Sequence, residues 1–284
     1  MKCALAVLLA VATSYGADSG PTLAQLVEAM RGKARALENG AAMKAGFASF
    51  TAAFKLEPGT VTLADYATAR LLFEATRDAG FWNLHWSVTN QPPNSDNVWR
   101  QWSALNRPST FAPTATAECD ELSALFAFLA GRAGIRGVGL FWPTANHTVA
   151  VWVLHTAARP VRVVIPTTQI FLDEGDYWGT RKFDPWRQKN VYEYTRRDVP
   201  DSFAIPKPLF EFFLRQADKY AGASEVTLQS IRYWREAVLQ KWWTREAAAR
   251  EALRVQRGRA SDAPEDRAAF GYFAQDMQAA EARR

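Results

Sequence analysis

Cysteine is nearly absent from this chain of 284 residues, which holds two, Cys3 and Cys119. Histidine is scarce as well, with three, at His85, His147 and His155. That supply is too thin for a disulfide framework, and no His, Cys and carboxylate grouping has the spacing of a zinc site. An EF-hand loop, a phosphate-cradling glycine loop and an internal repeat are all lacking, so we expect no metal and no cofactor. The formal net charge is +5. Its basic residues do not form a cluster interleaved with aromatics, which argues against nucleic acid. "RKFDPWRQKN" and "YTRRD" read as solvated loops. No apolar stretch is long enough to span a bilayer comfortably, so stable membrane insertion is not expected.

What the chain does have begins with an export signal. "MKCALAVLLAVATSYGADSG" carries one positive charge at Lys2, an apolar run from Ala4 to Ala12 and small residues after it, the layout of a secretory signal peptide over residues 1–16. Cleavage after Gly16, or after Ala12, satisfies the small-residue rule, and predicts a secreted or periplasmic protein. Cys3 lies ahead of the apolar run and leaves with the signal. A mature chain then retains one thiol and cannot form an internal disulfide, although exported proteins usually pair their thiols. A lone cysteine of this kind is either a small buried hydrophobe or a useful nucleophile.

Hydrophobic residues make up 48% of the sequence, with 11 Trp and 17 Phe, enough to bury a large core. Three segments follow the signal. Residues 17–80 read as helices, with apolar Leu23, Leu26, Val27 and Met30 at helical spacing, a break near Gly40, and a second helix capped by Thr62. Residues 81–205 form the central part. It opens with a long irregular stretch over 81–116, read either as a binding loop or cleft wall or as surface packing by Trp82, Trp86, Trp99 and Trp102. Residues 206–284 are again helical, with "RGRASDAPED" as a loop before the last helix. Asp173, Glu174 and Asp176 read as a solvated acidic turn.

Cys119 stands in "ATAECDELSALFAFLAGRAGIRG". Leu122, Leu125, Phe126 and Leu129 recur at i, i+3, i+4 and i+7, giving a helix one apolar face, and Gly131 and Gly134 supply its end. Thr116 is the expected N-cap, placing Cys119 in the first turn, where backbone N–H groups and the helix dipole favour a thiolate. A nucleophile needs a base. From His147, Val149, Val151 and Val153 alternate with Thr148, Ala150, Trp152 and Leu154, the pattern of a strand. It turns near Pro160 into a returning strand over Val161 to Ile165. If 155 opposes 160, paired residues sum to about 315, and His147 lies opposite Thr168, within one residue of Thr167 or Gln169.

"ECDELSALFAFLAGRAGIRGVGLF" and "NHTVAVWVL" resemble the transglutaminase-like cysteine enzymes of the papain-like superfamily over residues 100 to 175. Their hallmark is a Cys opening a helix, a glycine turn into a strand, a His starting the next strand, and Asp-Pro-Thr on the strand after it. The resemblance implies an α+β, papain-like core, a cysteine helix packed on an antiparallel sheet, with helical additions at both ends. It implies thiol chemistry on an amide, with Cys119 as nucleophile and His147 as base. The chain departs from the pattern at Ile165-Pro166-Thr167, where no carboxylate orients the imidazole; Thr167, Thr168 or Gln169 would supply a neutral acceptor, with Asp173 more distant. The Cys119 N–H with Asn90 or Gln91 would form the oxyanion hole. The implied partner is a peptide, protein or cell-wall peptide substrate. The rival reading is a degenerate domain that binds peptide or cell-wall polymer without turning it over.

Overall fold

The computed structural model describes residues 20–76, 84–85, 115–116, 119–144, 147–167, 190–194, 196, 199–205, 207–228, 230–231 and 263–281. Helices α1 (Leu23–Leu37), α2 (Ala41–Phe54) and α3 (Leu63–Thr76) come first. Short strands β1 (Leu84–His85) and β2 (Ala115–Thr116) precede α4 (Cys119–Arg132). Strands β3 (Val138–Thr144), β4 (His147–His155), β5 (Pro160–Ile165) and β6 (Tyr192–Glu193) follow, then α5 (Lys207–Tyr220) and α6 (Pro264–Glu281). The architecture is α+β, with an antiparallel four-stranded sheet in the order β5-β4-β3-β6.

Local chemistry explains the boundaries. Thr22 and Gln25 form a reciprocal capping box at the start of α1, satisfying two amides that a helix leaves open. Thr62 accepts from the Asp65 N–H ahead of α3, as its sequence position predicts. At the end of α4 the Ile135 N–H donates to Ala130 O and the Gly134 N–H to Gly131 O. This is a Schellman closure, with Gly134 in the left-handed region at φ 88°, a conformation glycine adopts without a Cβ penalty.

The β4–β5 register runs from Ala150↔Ile165 to His155↔Pro160, so every pair sums to 315 as the alternation predicts. One face of these strands, Ala150, Trp152, Leu154, Val163 and Ile165, shares a core with Leu122, Leu125, Phe126 and Leu129 of α4. The opposite face, Phe141, Val149, Val151 and Val164, is buried as a second cluster. Helix α4 departs from the one-faced expectation, because every residue from Cys119 to Ala130 is buried. It lies between the sheet and α3, so no side of it meets solvent over those turns.

The helical segments at the two ends are joined to that core rather than appended to it. Leu23 and Met30 of α1, Phe213 and Tyr220 of α5 and Phe273 of α6 belong to the same cluster as the sheet and α4. On α3, Arg70 is 2% exposed. It donates to Ala223 O at 3.1 Å and pairs with Glu225 at 3.3 Å, tying α3 to the segment beyond α5. Burial works against the Arg70 charge, yet Glu225, Tyr66 and Glu74 together hold its guanidinium above the ordinary arginine range. Among the described residues no helix is long and apolar enough to cross a membrane.

Candidate functional site

Cys119 is the first residue of α4, 3% exposed and in no disulfide. Thr116 is not its cap. It sits in β2 opposite His85 of β1 in a parallel pair, an extended conformation committed to the strand, and two residues separate it from the helix. The expected consequence survives that correction, because Cys119 still occupies the first turn. Asp120 and Glu121 share the turn and are buried. Their carboxyl groups complement the positive end of the helix and compete with a thiolate for it.

His147 begins β4, opposite Thr144, where the β3–β4 register is irregular. The next residue, Thr148, donates its backbone N–H to Cys119 Sγ at 3.5 Å. The start of the histidine strand is thereby held against the start of the cysteine helix. Thr148 O accepts from Ser123 Oγ at 3.2 Å, and Ser123 Oγ lies 2.8 Å from Thr167 Oγ1.

The backbone explains why α4 holds Thr148. The Val153 N–H donates to Gly137 O at 2.8 Å, on the β3 side. Backbone groups alternate sides along a strand, so odd-numbered residues of β4 address β3 and even-numbered ones address β5. Thr148 therefore points its N–H and C=O toward β5. That strand has already ended: Thr167, the residue this register would set opposite Thr148, turns its N–H back to Ile165 O at 3.0 Å. Side chains one turn apart on α4, Cys119 and Ser123, take up both backbone groups of Thr148.

Thr167, 1% exposed, is thus brought to the site, in contact with Ser123. Ile165 is fully buried in the core, and its side chain offers no acceptor. Gln169, Thr168, Asn90, Gln91 and Asp173 lie outside the described residues, as do residues 1–16. His155 ends β4 opposite Pro160, remote from the sulfur. It borders a cleft of about 900 Å³ at the other end of α4, also lined by Phe128, Arg132, Ile135, Arg136 and Tyr194. The described walls of that cleft carry no cysteine, serine or threonine. Among the described residues no group of His, Cys, Asp and Glu could hold a metal ion.

Sequence reasoning missed Ser123 and Thr148. Ser123 carried a readable signal, a hydroxyl four residues after Cys119 and hence on the same helix face, within an otherwise apolar stretch. Thr148 carried none, since its backbone rather than its side chain touches the sulfur. No protein-family model, curated protein or solved structure matches this chain.

Proposed function

We propose that the protein is an exported thiol hydrolase or acyltransferase acting on an amide or peptide bond, built on a transglutaminase-like, papain-like core. The observation that carries this reading is the contact between the Thr148 N–H and Cys119 Sγ. It sets a cysteine in the first turn of a helix beside the strand that begins with His147, and an N–H aimed at sulfur favours the thiolate.

In the proposed reaction, the Cys119 thiol gives its proton to the His147 imidazole as Sγ bonds to the amide carbonyl carbon. The carbon–nitrogen bond then breaks, and the imidazolium returns the proton to the departing amine. Water or an acceptor amine attacks the thioester, the sulfur–carbon bond breaks, and the thiol is restored. The Cys119 N–H with Asn90 or Gln91 supplies the oxyanion donors. The export reading rests on Lys2 and the apolar run from Ala4 to Ala12, and the substrate is a peptide, protein or cell-wall peptide.

A second reading, a domain that binds such polymers without cleaving them, is favoured by Ile165 in the core and by the 3% exposure of Cys119. The rate of iodoacetamide alkylation against pH separates the two. The enzyme reading expects an inflection well below the ordinary thiol value of about 8.5, moved upward by His147→Ala. An unreactive thiol, or one titrating like a free model thiol, would leave the binding domain as the better account.

A further inference from the structure

We propose that Ser123 and Thr167 are positioning residues, which hold the Thr148 amide on the Cys119 sulfur and so set the thiol's reactivity. This rests on reading Cys119 as the nucleophile. A hydroxyl has one hydrogen, and Ser123 gives its own to Thr148 O at 3.2 Å. In the 2.8 Å contact between Ser123 and Thr167, Thr167 must therefore be the donor. The chain has one polarity: Thr167 to Ser123, Ser123 to the Thr148 carbonyl.

Both backbone groups that α4 holds belong to Thr148, and in the extended conformation of β4 they point to the same side of the strand, so the Ser123 bond to the carbonyl anchors the residue whose N–H reaches the sulfur. Ser123, Thr148 and Thr167 are all buried, where water does not compete for these bonds and a lost partner is not replaced. The turn after β5 is part of the device. With the Thr167 N–H turned back to Ile165 O, the Thr148 amide is left to the sulfur instead of to a strand.

A purely structural tether would change stability and leave the titration of the thiol alone, so the test reads the thiol. In a Cys3→Ser chain, where Cys119 is the sole thiol, thiolate ultraviolet absorbance and alkylation rate are followed against pH for Ser123→Ala, Thr167→Val and Thr167→Ser, with thermal melts alongside. Thr167→Val keeps the shape and removes the donor. We expect Ser123→Ala and Thr167→Val to raise the inflection by about half a unit, a roughly threefold smaller thiolate fraction below it. Thr167→Ser should retain the parent profile. Should Ser123→Ala fail to fold, the isosteric Thr167→Val decides. A folded Thr167→Val with the parent profile overturns the proposal. If His147→Ala moves the profile and Thr167→Val does not, the nucleophile stands and the positioning role falls. A parent profile like that of an ordinary thiol removes both.

Discussion

The resemblance read from the sequence sets Ile165 in the place of an orienting carboxylate, and the surroundings of Ile165 show why a simple reversal fails. It is fully buried opposite Ala150, in the cluster that joins the sheet to α4. Ile165→Asp places an acid there, and we expect it to cost about 3 kcal/mol or more at neutral pH, read from urea denaturation. Burial raises the folded-state carboxyl above its unfolded value of about 3.9. The loss is therefore smallest below that pH and grows as pH rises through the folded value. A variant as stable as the parent at pH 7 would mean that a cation reaches position 165. The position of Ile165 was legible, because the alternation in β4 and the turn near Pro160 define the register. The partner of Thr167 was not, because Ser123 lies on a helix 44 residues earlier, and local pattern carries no record of which helix face meets which strand end.

Helices α3 and α4 are buried on nearly all sides, a property that an apolar stripe underestimates when charged residues such as Arg70 and Glu74 point into the interior. Two glycines show how context decides a substitution. Glycine inside a helix is worth about 0.5–1 kcal/mol less than alanine. At Gly131 on α4 a Cβ would meet nothing within 4 Å, so Gly131→Ala should stabilise by that amount. At Gly46 on α2 a Cβ would lie 2.8 Å from both Arg70 Nη1 and Tyr66 Oη. Both atoms belong to buried side chains, and displacing Arg70 would disturb its contacts with Ala223 O and Glu225, so Gly46→Ala should destabilise by about 1–3 kcal/mol. Thermal melts of the two single variants check the opposite signs. The helices themselves were legible from periodicity and caps. The strand at Thr116 was not, since its pairing with His85 joins segments 31 residues apart.

The division into an N-terminal helical segment, a central part and a C-terminal helical segment followed composition, yet side chains from all three share one core. We expect a chain ending at Ile205 to lose its cooperative melt in circular dichroism, because it lacks Phe213, Tyr220 and Phe273 and leaves the buried Arg70 without Ala223 O and Glu225. A sharp, reversible transition in that truncation would show that the N-terminal and central parts fold without the C-terminal segment. The same closure has a consequence in time. The Leu23 N–H is held by Phe203 O and the Ile205 N–H by Pro21 O, while Asp266 accepts from the Ser224 N–H. Ribosomes deliver these partners in chain order, so α1 can pack on α3 early but waits for its backbone bonds to Asp201 and Phe203 until that segment has been made. Long-range contacts of this kind form late and slowly. Until its C-terminal part is made, the core shared by all three segments is incomplete, and the newborn chain exposes apolar surface that the finished protein covers.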